Sequence, residues 1–200
     1  MTTTPKTLAA MTAEIVENNT RLGWYENCAT FPEAMALLHS EVSEALEAWR
    51  VWGVQDGTYH VSAVNYLAGK SPVNGGPPKP EGVGSEFADI FIRLLDDAWL
   101  FGAKTTASPD GIDLEVEASR SAGRFGISTS FGANMNALHG LIAHASFAWE
   151  AGDAFAGFFG QILVFLCQLC AHYGIDLMAE YERKVAYNRT RPYRHGGKAI

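Results

Sequence analysis

Cysteine is scarce in this chain, basic residues are outnumbered, and no stretch of useful length alternates as a strand should. The three cysteines, Cys28, Cys167 and Cys170, cannot build a disulfide framework, which fits a reducing compartment. Fifteen Lys and Arg against 22 Asp and Glu give a net charge of −7. That balance excludes a general binder of nucleic-acid polymers, which depends on basic surface. It suits a site that holds cations. With 48% hydrophobic and 18% charged residues, the chain is too apolar for disorder. The opening MTTTPKTLAAMTAEIVEN lacks the basic start and apolar run of a secretory signal, so a cytoplasmic protein is expected.

One long run carries no Asp, Glu, Lys or Arg: Ala154 to Ile175, long enough to span a bilayer. Gln161, Gln168, His172 and three glycines interrupt it, and it lacks aromatic or basic flanks on both sides. A helix apolar all round can lie at the centre of a bundle, and that, without a membrane, is the expectation. Cys167 and Cys170 form a Cys-x-x-Cys inside this run with no second pair to complete a metal site. They are expected as small core side chains.

Helix signals dominate elsewhere. Residues 7–19 read as an amphipathic helix. Thr30-Phe31-Pro32-Glu33 combines a capping box with proline in the first turn, so a second helix should start there. It runs to about Trp52 on a stripe of Leu37, Leu38, Val42, Ala45, Leu46 and Trp49. Residues 53–84 carry GVQDG, SPVNGGPPKP and EGVG, a long loop with room for a short element at 59–68. Ser85 is placed to cap a third helix to Phe101-Gly102, with Phe87, Ile90, Phe91, Leu94 and Leu95 inward. After a loop at 103–111, a short helix should begin at Asp113, followed by a Gly/Ser-rich link at 121–133. Helices at about 135–151, 154–173 and 176–188 and a basic tail complete an all-α chain.

Three blocks recur in order. LHSEVSEALEAW at 38–49 aligns with LHGLIAHASFAW at 138–149. FADIFIRLLDDAWLFG at 87–102 aligns with FGQILVFLCQLCAHYG at 159–174. IDLEVEASR at 112–120 aligns with IDLMAEYER at 175–183. Preserved order argues for an internal duplication: an acid-bearing repeat at 1–123, and a degenerate repeat with the basic tail at 124–200, in one all-α domain.

The chemistry centres on Glu41-Val-Ser-Glu44 and Glu86-Phe-Ala-Asp89. Residues three apart share a helix face, so two such helices side by side would converge four carboxylates. Such a cluster needs cations, and an all-oxygen donor set suits Mg²⁺ or Mn²⁺. A lone Glu-x-x-Glu is ordinary on a solvated face; here the two pairs interrupt otherwise apolar helices at corresponding places. Asp96 follows on nearly the same face as a further ligand or outer partner. A ferritin-like di-iron bundle would need Glu-x-x-His pairs, and none of the six histidines has Glu three residues before it.

Opposite charge gathers at the C-terminus in Arg183, Lys184, Arg189, Arg191, Arg194 and Lys198, with His195 beside Gly196-Gly197. Lys184, Asn188 and Arg191 have helical spacing, and cations and amides so aligned can hold phosphate oxygens. A merely solubilising tail has the same composition.

The runs LLHSEVSEALEAWR, EFADIFIRLLDDAWLFG and KVAYNRTRPYRHGGK together resemble the MazG-like branch of the all-α nucleoside triphosphate pyrophosphohydrolases of bacteria and phages, over about residues 15–52, 84–102 and 174–198. The resemblance implies an all-α bundle that cleaves a (deoxy)nucleoside triphosphate to the monophosphate and pyrophosphate, in nucleotide house-cleaning. It implies Glu41, Glu44, Glu86 and Asp89 as catalytic Mg²⁺ ligands (Mn²⁺ replacing it), Lys184 and Asn188 as phosphate-side residues, and Trp24 and Trp49 as aromatics enclosing the base. Arg191 joins the substrate side by its spacing. Glu41 is favoured as acceptor of the attacking water's proton.

This chain departs from the family pattern in its longer 53–84 loop. Its second copy also lacks the acids: Glu41 and Glu44 align with Leu141 and His144, Glu86 and Asp89 with Phe158 and Gln161. The chain therefore reads as a fused pseudo-dimer with one acidic site and one basic tail. The preferred base and sugar, and any homo-oligomer, stay open. A non-catalytic nucleotide-binding or sensor module is the alternative.

Overall fold

The computed structural model describes residues 6–27, 29–54, 59–60, 79–105, 114–121 and 125–194. These form seven helices and one pair of two-residue strands: α1 (Leu8–Arg21), α2 (Phe31–Trp52), β1 (Tyr59–His60), β2 (Pro80–Glu81), α3 (Val83–Thr105), α4 (Leu114–Ser121), α5 (Phe131–Ala151), α6 (Ala156–Tyr173) and α7 (Leu177–Asn188). The all-α expectation holds. The antiparallel strand pair ties together the two ends of the 53–84 loop, whose residues 61–78 lie outside the described ones.

Local chemistry sets the helix ends. Thr7 accepts from the Ala10 N–H at 3.2 Å to start α1. Glu33 accepts from the Thr30 N–H at 2.7 Å, the glutamate half of the expected capping box. Two boundaries differ from expectation. Ser85 does not cap α3, which begins two residues earlier; its hydroxyl instead donates to the Pro80 carbonyl at 2.9 Å, fixing β2 against the helix. And α5 starts at Phe131, inside the stretch read as a link, because Ser130 caps the Ala133 N–H. Asn134, buried, also folds back on Ser128 and bonds the Tyr173 hydroxyl at 2.7 Å.

At the centre stands α3, packed against α1, α2, α6 and α7, while α2 meets α5 and α6 meets α4 and α5. The expected inward residues Phe87, Ile90, Phe91, Leu94 and Leu95 are all buried, as are Leu38, Val42 and Ala45 of α2. Leu37 and Leu46 are half-buried and Trp49 is exposed. The apolar helix α6 is long and apolar enough to cross a membrane. In this fold Phe159, Ile162, Phe165, Leu166 and Leu169 bury its inner face. Gly160 lets α4 cross closely: a Cβ there would fall 2.4 Å from the Glu117 backbone. Of the two cysteines in α6, Cys170 is buried and Cys167 is exposed, so only one is the core side chain expected. At α6 positions 167 and 170, three apart, the side chains point about 60° away from each other around the axis.

Contacts between the halves are reciprocal. Phe31 stacks on Trp149 with centroids 4.3 Å apart, and Phe131 stacks on Trp49 at 5.2 Å. Phe31 meets Phe159 at 6.2 Å, and Phe131 meets Phe87 at 6.3 Å. Phe31 meets Phe101 at 5.0 Å, and Phe131 meets Tyr173 at 5.3 Å. His39 and His139, equivalent in the alignment, touch each other with Nδ1 atoms 2.7 Å apart. Because Phe31 and Phe131 each fill the centre of such a cluster, truncating either to Ala is expected to cost about 3–5 kcal/mol of stability. Denaturant melts check this; a loss under about 1 kcal/mol at either position would contradict it.

Candidate metal centre and adjoining cavity

The acidic site is built by α2 and α3 lying side by side. Helical spacing puts Glu41 and Glu44 on the α2 face that meets α3, and α3 returns Glu86 and Asp89. One oxygen from each of Glu41, Glu44 and Glu86 lies within 4.8 Å of the others. Glu41 and Glu86 are buried; Glu44 is exposed. Three of the four expected acids are thus drawn together. Asp89 instead pairs with Lys184 at 2.7 Å. That lysine, fully buried on α7, also donates to the Pro80 carbonyl at 3.3 Å.

The carboxylates differ in how they are satisfied. Glu41 accepts from the Arg93 Nε at 2.6 Å, and Glu44 accepts from the Ser40 hydroxyl at 3.2 Å. Glu86 has one buried oxygen, Oε2, with no hydrogen-bond partner among the described residues. Burial pushes Glu86 up to about 8, the Asp89 carboxylate adding to it and Lys184 opposing. Glu41 is also raised by burial, against the pull of Arg93. A buried oxygen without a donor, beside two further carboxylates, is a donor set that a hard divalent cation satisfies. The residues present therefore fit such an ion.

A cavity of about 370 Å³ opens beside this cluster, within the range of small-molecule sites. Glu41, Glu44 and Asp89 line it at one place, and Trp24, Asn188 and Arg191 line it elsewhere. Glu86 and Lys184 are not on its wall. Trp49 is not either: it lies at the far end of α2, stacked on Phe131. The resemblance implies Trp49 as an aromatic enclosing the base; here its ring serves the contact between α2 and α5.

The chain's two ends shape the remaining wall. Gly23 ends α1 with φ +76°, and a Cβ there would fall 2.4 Å from the Tyr193 ring, so both the backbone and the space require glycine. The Arg194 N–H bonds the Leu22 carbonyl at 3.0 Å, and Arg189 pairs with Glu14 at 2.6 Å. These contacts hold the segment after α7, with Arg191, against the 22–27 turn. His195 and Lys198 lie outside the described residues.

Sequence reasoning did not single out several wall residues: Arg93, Lys79, Tyr25, Asn19 and Asp97. Arg93 had a signal, being a cation in an otherwise apolar and acidic stretch of α3 and four residues beyond Asp89, on the same face. Asp96, expected as a further ligand or outer partner, accepts from Asn19 at 3.0 Å and from the Tyr25 hydroxyl. It anchors the 18–27 segment to α3. In the second half, His144 stacks on Phe158 at 5.7 Å where the aligned acids stand in the first.

Burial also pushes Asp97 up to about 8, aided by the adjacent Asp96. Both Glu86 and Asp97 thus keep their protons to higher pH when folded than unfolded, where carboxyls titrate near about 4. The folded state binds more protons across that window, so their contribution is full below about pH 4 and is lost as pH rises through about 8. Metal-free protein in chelator is expected to melt at lower temperature at pH 8.5 than at pH 6. Glu86→Gln should flatten the trend, and a melting temperature that rises over this range would contradict it.

No protein-family model matches the chain, and no curated protein or solved structure matches it significantly.

Proposed function

We propose that this protein is a Mg²⁺-dependent pyrophosphohydrolase of (deoxy)nucleoside triphosphates, built as an internally duplicated helical bundle with one acidic site. The observation that carries this reading is the meeting of Glu41, Glu44 and Glu86 oxygens within 4.8 Å beside a cavity also lined by Lys79, Arg93, Asn188 and Arg191. Acids for a cation and donors for phosphate thus adjoin one space of nucleotide size. The reciprocal ring contacts of Phe31 and Phe131 support the duplication.

Glu41, Glu44 and Glu86 would hold the metal, with Asp89 the fourth ligand once separated from Lys184. Bound there, Mg²⁺ supplies charge neutralisation of the triphosphate and an acidified water. The protein's own groups do the rest. Arg93 and Lys79 offset phosphate charge, and Arg191 and Asn188 offer donors to phosphate oxygens. Lys184, freed from Asp89, adds a cation beside the site. Glu41, held in place by Arg93, takes the proton of the water that attacks the α-phosphorus. Breaking the α–β anhydride then releases the monophosphate and pyrophosphate.

The non-catalytic alternative draws on one observation: two of the four acids already have protein cations, Arg93 on Glu41 and Lys184 on Asp89. A screen of (d)NTPs with Mg²⁺, scoring pyrophosphate, separates the two. Pyrophosphate release that stops with chelator supports the enzyme, and nucleotide binding without any cleavage supports the module.

A further inference from the structure

Arg93 reaches across from α3 to α2, where its Nε donates to Glu41 Oε1 at 2.6 Å. It stands four residues beyond Asp89 and seven beyond Glu86, so all three share one face of α3. Arg93 lines the cavity together with Glu41 and Asp89, and Glu41, Asp97 and Asp89 lie within its electrostatic reach. Metal ions that act in pairs on phosphates sit about 3.5–4 Å apart, and like charges so close need anionic oxygens between them. Glu41 is the acid placed to be shared, because it meets Glu44 and Glu86 in one cluster. Its Oε1, however, already holds Arg93. Asp89, the other acid a second ion would need, gives its Oδ2 to Lys184 at 2.7 Å. If Asp89 leaves Lys184 to join the first ion, Glu41 Oε1 is still held by a tethered guanidinium through a charge-assisted bond.

We propose that Arg93 stands in for a second metal ion, so that the site takes one divalent cation per chain where four carboxylates could hold a pair. The inference rests on the metal reading above and goes beyond it, to the number of ions and the residue that sets that number. The charges agree. Glu41, Glu44, Glu86 and Asp89, all ionised, carry four negative charges; Arg93 and Lys184 answer two of them. One divalent ion balances the remaining two, and a second would sit against a fixed guanidinium. Arg93 is charged at every pH the fold meets and cannot diffuse away. It cannot acidify a water as a metal does, so that task stays with the single ion and Arg93 supplies charge alone.

The test is Mn²⁺ titration of the full chain without nucleotide, read by calorimetry and by electron paramagnetic resonance, in wild type, Arg93→Lys, Arg93→Met and Arg93→Gln. Wild type and Arg93→Lys, which keep the charge, should bind one Mn²⁺ per chain with the spectrum of an isolated ion. Arg93→Met keeps the apolar stem and removes the charge. It should bind two Mn²⁺, with the spin coupling of ions about 3.5–4 Å apart. Arg93→Gln should do the same and serves if the methionine variant does not fold. A role for Arg93 confined to holding α3 on α2 would lower the melting temperature of both neutral variants and leave the stoichiometry at one. Two coupled ions in wild type, or a single ion in a folded neutral variant, overturn the proposal while the metal site itself stands. Failure of wild type to bind Mn²⁺ overturns the metal reading and this inference together.

Discussion

Glu86→Gln is expected to lower kcat by at least about 10², the scale of losing a principal electrostatic group, and to raise the stability of the metal-free protein. The two effects come from one feature. Glu86 is buried beside Glu41 and Glu44, and its Oε2 has no donor among the described residues. As a metal ligand its charge is required; without metal the same charge is isolated in the interior, which is why burial drives it up to about 8. An amide of the same shape removes the cost and the function together. A structural role for Glu86 predicts the opposite stability change. Mg²⁺ titration of wild type and variant, followed by melting temperature, reads both: stabilisation by Mg²⁺ should be present in wild type and absent in Glu86→Gln. Near-wild-type turnover in the variant would remove Glu86 from the site.

The second large effect concerns the dependence of the acidic half on the other. A fragment of residues 1–123 retains all four acids yet is expected to be inactive and poorly folded. The reason lies in α3, which packs against α6 and α7 and would expose Phe87, Phe91 and Leu94 without them. Phe31 would lose Trp149, Phe155 and Phe159. Loss of fold and loss of site are separated in the full chain by Lys184→Met, which keeps the buried aliphatic stem and removes only the cation. Asp89 then lacks its ion pair and the phosphate side lacks a charge. KM is expected to rise, with any fall in kcat measuring a role in the transition state. His144→Ala, at the position aligned with Glu44, should leave turnover within a few-fold, since His144 stacks on Phe158 and does not line the cavity. Full activity from residues 1–123 would end the composite-site idea.

The sequence made α2 and α3 legible because apolar residues recur at helical spacing while the acids break the pattern in the same place on each. It also showed three similar blocks in the same order, and upstream of the first block Phe31 with Phe131 and Met35 with Met135, a hundred residues apart, are all buried. Ser85 was misleading because a serine before an apolar run is chemically able to cap, yet a nearby carbonyl, that of Pro80, competed for its hydroxyl. The 121–133 stretch looked like a linker through its Gly and Ser, although Ser128, Ser130 and Asn134 spend those side chains on starting α5. Trp24 and Trp49 were both candidates to enclose the base by resemblance, and only the packing of α5 shows Trp49 stacked on Phe131. Asp97 was hidden by its neighbour: only Asp96 stood out from the spacing, as a further ligand or outer partner, whereas Asp97 is the buried one of the two and Asp96 is bonded by Asn19 and Tyr25.

The central claim is attack of water on the α-phosphorus in a metal-dependent site. Its most direct measurement is hydrolysis of the best (d)NTP from the screen in ¹⁸O-labelled water, with products analysed by mass. The account predicts equal amounts of nucleoside monophosphate and pyrophosphate, a single ¹⁸O in the monophosphate, no reaction in chelator, and turnover at least about 10² slower with Glu86→Gln. Label in pyrophosphate, release of inorganic phosphate with a diphosphate product, or cleavage undiminished by chelator would contradict it.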